Sequence, residues 1–324
     1  KLSLLGKRLF LPAFLLAGMS TVGRLSVANS TQTVLAHWAV PSGLIAVMAG
    51  KLLRRKVVLY VYGGDVVVLP RSLPLRLLVQ WVLKHADRVL CNSYETRRDA
   101  AALGVPEAKM SVLYHGIDRS RFRCTVDGAP IRERLGVAPD QAMILSVGRM
   151  VWYKGFDYLA EAARQALAIN PGLRFVVGGT GPLEAHYRQT VERLGLTERV
   201  RFVGSVPDTE LPLYYAASDV YVSSSVVDPA GNREGLGVTI IEAMASGKPV
   251  IVTDAGAPKE FVQDGENGLV VPEKDPQALA AAIVRLAGDA ELRAKLTRRG
   301  LKTVEELFDW SAITARLEEV LVGG

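Results

Sequence analysis

Two cations in one short loop have the chemistry to hold a diphosphate. Arg149 and Lys154 lie between a predicted strand that ends at Val147 and a predicted helix that starts near Gly155. Arginine contacts phosphate oxygens in a planar, bidentate way, lysine adds a point charge, and the amides at a helix N-terminus favour an anion. The pattern predicts a diphosphate-binding loop, with two solvated surface cations as the alternative.

A second group of residues combines carboxylates with glycines. Glu234 precedes Gly235, Leu236 and Gly237, which open a predicted helix that carries Glu242. Glycines let a ligand approach the backbone, and carboxylates can accept hydrogen bonds from vicinal hydroxyls of a ribose or a sugar. Two other interpretations stay open: a glycosidase acid/base pair, and a plain helix-start carboxylate with one exposed glutamate.

Two further loops follow strands in the second half. The loop with Gly179 and Gly181 lacks the dinucleotide-binding spacing, because Glu184 stands where the last glycine belongs, so nicotinamide chemistry is disfavoured. Gly204 could border a flat base or belong to an ordinary loop.

In the first half, Tyr62 and Asp65 flank two glycines at a strand end, where a substrate could approach the backbone. His37 lies at the end of another predicted strand. It is either a functional residue or a hydrogen-bonded histidine of the core. There is no Asp-x-Asp pair and no His/Cys ligand spacing, so no metal site is predicted. The absence of G-x-S-x-G gives no support to a serine hydrolase.

The elements that must position these residues alternate between strands and helices. The predicted strands are Val34–Trp38, Val57–Tyr62, Arg88–Asn92, Ser111–Tyr114, Ala142–Val147, Leu173–Gly178, Val200–Val203, Asp219–Ser223, Pro249–Thr253 and Gly268–Val271. The predicted helices are Gly155–Ile169, Leu183–Leu194, Gly237–Ala245, Pro276–Leu286 and Glu291–Leu307. This alternation predicts an α/β protein with parallel sheets covered by helices, whose ligands bind at the carboxyl ends of the strands.

Length and charge predict two domains with different tasks. The chain has 324 residues and a net charge of +6, but residues 1–137 carry 20 Lys/Arg against 8 Asp/Glu, while residues 138–324 carry 19 against 25. The net charge of the chain changes sign at a predicted linker over residues 129–140. The basic half indicates an anionic membrane surface or a lipid-phosphate acceptor rather than nucleic acid. Two cysteines without CxxC spacing fit a reducing compartment, so we expect a cytoplasmic protein, with the inner face of the membrane as one location.

The first residues allow three interpretations. An apolar run from Leu9 to Met19 follows basic residues, as in a secretory signal, but no small-x-small cleavage site follows closely. A membrane-spanning helix needs about 20 apolar residues, and this run is shorter and contains Pro12. We therefore favour a helix that is buried or lies on a membrane surface.

Taken in order, these motifs resemble the retaining glycosyltransferases of family 4, also called glycosyl transferases group 1. The resemblance covers the chain from about Val34 onward. It rests on six pieces in one order: Gly148-Arg149 with Lys154-Gly155; Gly179-Thr180-Gly181-Pro182; Val203-Gly204; Glu234-Gly235-Leu236-Gly237; Glu242 to Gly247, which completes the Glu-x7-Glu hallmark; and Lys248 to Val270.

The resemblance implies the GT-B fold, two facing Rossmann-like domains. It implies an acceptor domain at residues 1–137, a nucleotide-sugar donor domain at residues 138–307, and a C-terminal helix at 308–324 that packs back on the first domain. The implied co-substrate is a UDP- or GDP-linked hexose, and the implied acceptor is a glycan or a lipid-linked sugar; no metal is required.

It also implies roles for individual residues. Arg149 and Lys154 would bind the donor diphosphate and stabilise its growing charge. Glu234 would face the donor sugar and Glu242 would hold the ribose. The implied backbone contacts to sugar, phosphate and base come from the glycines and their neighbour: Gly181, Gly204, Gly235, Leu236 and Gly237.

Two departures from the family pattern stand out. Tyr62 occupies the position where the family usually has a catalytic histidine, and His115 stands where it often has asparagine. The family's opening strand and glycine-rich loop have no match, so we expect either a truncated first domain or a natural short form in which residues 1–19 cover an edge strand. Alternatives to transfer are a nucleotide-sugar-binding protein without activity and, less favoured, a GT-B sugar-nucleotide epimerase.

Overall fold

The computed structural model describes residues 4–322, with side chains from Pro12 onward. The chain divides into two compact units. The first unit runs up to Tyr114 and takes in the chain from Thr314 onward, and the second runs from His115 to Ile313.

Both units are built from alternating strands and helices, which confirms the predicted α/β class. The strands are β1 (Thr33–His37), β2 (Lys56–Val61), β3 (Arg88–Cys91), β4 (Met110–Val112), β5 (Ala142–Val147), β6 (Leu173–Gly178), β7 (Val200–Gly204), β8 (Val220–Ser223), β9 (Val250–Thr253) and β10 (Leu269–Val271). The helices are α1 (Leu4–Ala28), α2 (Leu44–Leu53), α3 (Leu73–His85), α4 (Tyr94–Ala102), α5 (Ala129–Leu135), α6 (Phe156–Ile169), α7 (Glu184–Arg193), α8 (Leu211–Ala217), α9 (Val238–Ala245), α10 (Pro276–Gly288), α11 (Ala290–Leu307) and α12 (Trp310–Val322).

The first unit contains a four-stranded parallel sheet in the order β1-β2-β3-β4. The central strand β2 is apolar because both of its faces are covered: Val57 to Val61 are all buried. Successive right-handed crossovers in one direction place α2, α3 and α4 on the same face of this sheet. Strand β1 lies at the edge and is only partly buried.

The second unit contains a six-stranded parallel sheet in the order β10-β9-β8-β5-β6-β7. Its core contains Ile144, Phe175 and Ile251 from the strands and Leu159 and Ile283 from the covering helices. The strand order runs outward in both directions from β5, so the connections on its two sides leave in opposite directions. Such a reversal of strand order is where open α/β sheets bind ligands.

The boundary between the units differs from the one expected from charge. The predicted domain boundary at residue 137 falls inside the second unit. Helix α5 packs in that unit, where Arg132 donates to Asp219 at 3.0 Å and to the carbonyl oxygen of Ala217 at 2.9 Å. The basic segment around α5 is therefore part of the second unit's structure and not a linker.

The N-terminal apolar run forms part of α1, which is longer than the run itself. Gly18 packs against Ile45 of α2; a Cβ added there would lie 2.7 Å from the Cδ1 of Ile45. Within residues 4–322, no helix has the length and apolar character needed to cross a membrane.

Candidate active site

The second unit concentrates its polar residues beside the point where strand order reverses. The loop after β5 carries Arg149 and Lys154, and the loop after the neighbouring strand β8 carries Glu234. Because parallel strands end at the same sheet edge, these two loops meet there. Arg149, Lys154 and Glu234 therefore all follow strands at one edge of the sheet, and their part in any chemistry stays a prediction.

The centre of this edge is an ion pair between the two loops. The Nζ of Lys154 lies 2.5 Å from the Oε2 of Glu234, and the two side chains are only 13% and 10% exposed. The hydroxyl of Ser225 donates to the same carboxylate oxygen at 3.2 Å. The lysine stem lies over Gly148, where a Cβ would come within 3.2 Å of it.

The loops are held together by backbone contacts that need a glycine. Gly155 adopts a φ of +64°, and a Cβ there would lie 1.9 Å from the carbonyl oxygen of Ser224. Next to it, the Ser224 hydroxyl donates to the carbonyl oxygen of Lys154 at 3.0 Å, and the Val226 amide donates to that of Tyr153 at 2.8 Å. Lys154 is therefore presented by a fixed backbone.

The ion pair keeps the buried lysine charged. Burial by itself lowers the pKa of an ammonium group. The field of the Glu234 carboxylate, supported by its hydrogen bond, outweighs that effect and holds the pKa of Lys154 above its usual value. Burial also raises the pKa of the neighbouring Tyr221 phenol to about 12, so that group stays neutral. The net result is a cation held away from bulk water.

Arg149 differs from Lys154 in being exposed. The part of the chain that the structure describes gives its guanidinium neither a hydrogen bond nor an ion pair. An exposed guanidinium beside a buried ammonium provides two cations of different reach in one loop. This pairing is suited to a diphosphate, one group binding from inside the edge and the other from its surface.

The glycine segment after Glu234 leads directly into α9. Gly237 caps the helix with a φ of +78° and without a side-chain hydrogen bond, while Leu236 is buried and Gly235 is half-buried. The first amides of α9 therefore point toward the sheet edge without a capping side chain, and such amides favour an anion.

Glu242 lies one to two turns into α9 and is held by a tyrosine. The hydroxyl of Tyr215, on α8, donates to its Oε2 at 2.7 Å. Burial raises the pKa of Glu242 and, more strongly, that of the Tyr215 phenol. The second carboxylate oxygen accepts no bond from the residues described in 4–322, which leaves one oxygen for a ligand hydroxyl.

Gly181 lies three residues after the end of β6, and Gly204 is the last residue of β7, so both lie at the same edge of the sheet. A Cβ at Gly181 would approach the carbonyl oxygen of Met150 to 2.5 Å, so that glycine serves close packing of two loops. Gly204 has a φ of +70° with open space where its Cβ would be. Its carbonyl oxygen accepts the Gly179 amide at 2.6 Å. Of these two glycines, Gly204 is therefore the one with room beside it for a ligand.

Tyr62 belongs to the first unit, at the carboxyl end of β2. Its hydroxyl lies 2.7 Å from the Nδ1 of His37. Burial, followed by the field of Asp65, raises the pKa of the Tyr62 phenol to about 12, so it keeps its proton and can donate it to the imidazole. His37 is exposed, so its alternative assignment as a core histidine is wrong.

A buried carboxylate fixes the turns around Tyr62. Asp65 is fully buried and accepts the amides of Ala39 at 2.8 Å and of Tyr62 at 3.0 Å. It thereby ties the turn after β1 to the turn after β2. Trp38, in the first turn, has a φ of +71° and packs on Tyr62 with 5.0 Å between ring centroids. A bulky residue in that region is strained, so surrounding contacts must maintain it.

Some residues at this edge carry no recognisable signal in the sequence. Tyr215 reads as an ordinary residue of an apolar helix, yet it holds Glu242. Ser225 ends a run of three serines that begins with the last residue of β8, which is a polar signal at a strand end. Among residues 4–322, no cluster of three or more His, Cys, Asp or Glu could hold a metal ion.

Comparison with known families now identifies the chain. Residues 128–303 match the model described as glycosyl transferases group 1, and residues 8–121 match that of glycosyltransferase family 4. The chain belongs to the glycosyl transferases group 1 family. It is a glycosyltransferase with the GT-B fold, as the resemblance implied.

Named relatives and solved structures agree with this assignment. The chain is 32% identical over 309 residues to the GDP-mannose-dependent alpha-(1-6)-phosphatidylinositol monomannoside mannosyltransferase of Mycolicibacterium smegmatis, covering 94% of this chain and 80% of the relative. It is 32% identical over 236 residues to the lipopolysaccharide core biosynthesis mannosyltransferase LpsB of Rhizobium meliloti, covering 71% and 63%. The structure of Anabaena Alr3699/HepE in complex with UDP and glucose is similar with a TM-score of 0.81 and 25% identity, covering 94% and 81%.

The two glutamates belong to a chain whose family is one of glycosyltransferases, which does not favour their interpretation as a glycosidase acid/base pair. The two carboxylates also have different partners, Glu234 bonding to Lys154 and Glu242 to Tyr215. The roles assigned to Arg149, Lys154, Tyr62, the two glutamates and the glycines all stay predictions.

Proposed function

We propose that the protein is a metal-independent, retaining glycosyltransferase that moves a hexosyl group from a nucleotide sugar to a glycan or lipid-linked acceptor. The first donor to test is GDP-mannose, because two relatives are named as mannosyltransferases and one of those as GDP-mannose-dependent. UDP-glucose is the second, since a similar structure holds UDP and glucose.

The observation that carries the proposal is the charged group at the switch point. Lys154 stays protonated in a nearly buried position because Glu234 is beside it, and Arg149 is exposed nearby in the same loop. When the sugar departs, negative charge builds on the diphosphate oxygen that it leaves. Cations already fixed in a poorly solvated site stabilise that charge without having to reorganise first.

In this proposal the remaining residues of the edge bind the donor. The free oxygen of Glu242 accepts from the ribose hydroxyls while Tyr215 fixes the other oxygen. Gly235 to Gly237 give backbone amides to sugar and phosphate, Gly204 leaves space for the base, and Gly181 keeps its loop close to the edge. Glu234 faces the donor sugar.

The bond changes follow from retention of configuration. The bond between the anomeric carbon and the diphosphate oxygen breaks, and its electron pair goes to the diphosphate. The acceptor hydroxyl oxygen attacks the same face of the anomeric carbon and forms the new glycosidic bond. Its proton passes to a leaving phosphate oxygen, so no further co-reactant is needed.

The test is transfer of labelled hexose from a panel of GDP- and UDP-linked donors to glycan and lipid-linked acceptors. We expect transfer with at least one donor, without added divalent metal and in the presence of a chelator, and with the donor's anomeric configuration in the product by NMR. Glu242→Ala should abolish most of it. Inversion of configuration, or full dependence on a divalent cation, would contradict the proposed mechanism.

A second candidate function, binding of nucleotide sugars without transfer, is favoured by one observation. By the resemblance, Tyr62 stands where the family usually has a histidine, and in the structure its hydroxyl is hydrogen-bonded to the Nδ1 of His37. Calorimetric binding of a nucleotide sugar with no turnover, together with turnover gained by Tyr62→His, would select this candidate.

A further inference from the structure

The outer face of α3 is apolar where the solvent side of a surface helix is usually charged. Val79, Val82 and Leu83 are fully buried on its inner side. On the opposite side, three residues four positions apart are exposed: Leu73 at 67%, Leu77 at 58% and Trp81 at 39%. These three residues form what we call the α3 face. A helix that is apolar on both sides is ordinarily covered on both sides.

The charges around the α3 face are nearly all positive. Residues 39–86 contain seven Lys or Arg and a single acidic residue, Asp65, whose carboxylate is fully buried. Arg76 and Lys84 are exposed on α3 itself. The ammonium of Lys51, on the adjacent helix α2, lies 5.9 Å from the centre of the Trp81 ring. An occupant of this face therefore meets cations from both α2 and α3.

A basic pocket opens at the C-terminal end of α3. It has a volume of about 550 Å³, and its lining includes Lys51, Arg54, Arg55 and Arg88. The one carboxylate in the lining, that of Asp87, accepts a hydrogen bond from the Val57 amide at 2.7 Å. The Nε of Arg55 is buried, and no described residue offers it a hydrogen-bond partner. The cations of this lining favour an anion such as a phosphate group.

We propose that the α3 face and the basic pocket dock together on an anionic lipid bilayer. In this arrangement α3 lies in the plane of the membrane, with its apolar residues at the boundary between headgroups and acyl chains, and the pocket receives a lipid phosphate. Peripheral helices combine an apolar face with flanking cations in this way, and each cation near an anionic surface strengthens binding. A second copy of the chain would bring like charges together, which opposes self-association through this face.

The proposed orientation also suits a lipid-linked acceptor, a point that rests on the proposed function. Helix α3 starts at Leu73, eight residues after Asp65, so its N-terminal end lies toward the same edge of the sheet as Tyr62. A bilayer lying along α3 would therefore extend toward that edge. The membrane contact itself needs no transfer activity.

The test is co-sedimentation of the protein with vesicles of phosphatidylcholine containing phosphatidylglycerol, compared with vesicles of phosphatidylcholine alone. We expect binding to the anionic vesicles that weakens with salt. Leu77→Gln should reduce the partition coefficient roughly tenfold, through loss of apolar contact. Its matched control is Ile169→Gln, which alters an exposed aliphatic residue of the second unit (67% exposed) and should leave binding unchanged.

The charge contribution has its own pair of variants. Arg76→Gln should weaken binding about fivefold at low salt, the change that corresponds to about 1 kcal/mol for one cation near an anionic surface. Arg298→Gln, at an exposed position of α11 in the second unit, should have no effect.

Three results would overturn the membrane proposal. They are no binding to anionic vesicles, equal binding to neutral ones, and a dimer detected by light scattering that Leu77→Gln dissociates, which would assign the face to a second copy. Calorimetry with soluble GDP-mannose is run on the same preparations. If GDP-mannose binds and vesicles do not, the membrane proposal fails while the proposed function is unaffected. If vesicles bind and GDP-mannose does not, the membrane proposal is unaffected.

Discussion

Replacing Lys154 with methionine removes one partner of a buried ion pair. The ammonium lies 2.5 Å from the Glu234 carboxylate, and both side chains are at least 87% shielded from solvent. Methionine keeps the length and apolar stem of lysine, so the lysine packing over Gly148 is largely preserved. What changes is that the Glu234 carboxylate is left in a poorly solvated position, with Ser225 as its remaining described partner.

The size of the effect follows from this burial. Removing one partner of a buried pair costs about 3–5 kcal/mol, because the remaining charge is neither paired nor hydrated. For a unit the size of His115–Ile313, 1 kcal/mol shifts Tm by roughly 2–4 °C. Lys154→Met should therefore lower the Tm of the second unit by roughly 6–20 °C.

The assay is thermal unfolding followed by calorimetry, which resolves the two units where they melt separately. Two variants serve as controls. Lys154→Met combined with Glu234→Met removes both charges and should recover much of the lost stability. Arg134→Met breaks the pair with Glu210, whose atoms are 2.6 Å apart but whose side chains are 48% and 35% exposed, and should cost at most about 1 kcal/mol.

Two results would contradict this prediction: Lys154→Met melting within about 2 °C of the parent, or a double variant less stable than the single one. Either result would mean that the lysine and the glutamate do not depend on each other in the folded chain. The first of these would also mean that Glu234 is not what keeps the lysine charged at this edge.

The other predictions concern single residues. Glu242→Gln should weaken binding of a nucleoside diphosphate by about 1.5–3 kcal/mol in calorimetry, while the same change at the exposed Glu266 should not. Tyr62→Phe should lower kcat/KM about tenfold and Tyr62→His should lower it less, measured with the preferred donor. Burial raises the pKa of Asp65 from 3.8 to about 6, so its stabilising contribution is full below about pH 4 and falls by about 3 kcal/mol as pH rises through 6. Asp65→Asn should remove that slope in urea unfolding between pH 4 and 7. Gly181→Ala should destabilise the chain by about 1–3 kcal/mol, because its Cβ would lie 2.5 Å from a backbone oxygen.

The fold could be predicted because the strands have a strong local signal. Strands β5 and β6 occupy the predicted residues, and α6 begins one residue after its prediction. Each is an apolar or amphipathic run with a turn signal at its end, and those features are local. Strand β4 is shorter than predicted, and it ends at Val112 because its pairing with β3 stops there.

The site could be predicted only in part, for a physical reason. Loops after strands are visible in the sequence, so Arg149, Lys154 and Glu234 could be named from the order of residues alone. The ion pair between Lys154 and Glu234 depends on β5 and β8 being neighbours, and the order of strands in the sheet decides this. The bond from Tyr215 to Glu242 spans 27 residues of sequence and depends on how two helices pack, which leaves no local pattern.

The path of the chain between the two units has a consequence for how the protein is made. The chain leaves the first unit after Tyr114 and returns to it at Thr314, so the second unit is inserted in the first. The two ends of the inserted unit lie together: Ile117 pairs with Asp309, and its amide donates to the carbonyl oxygen of Phe308 at 2.9 Å. During translation, this unit can therefore close while the first still lacks the segment whose carbonyl oxygens, at Val320 and Leu321, bond to the side chains of Lys56 and Thr33. The unit synthesised first is the last to be completed on the ribosome.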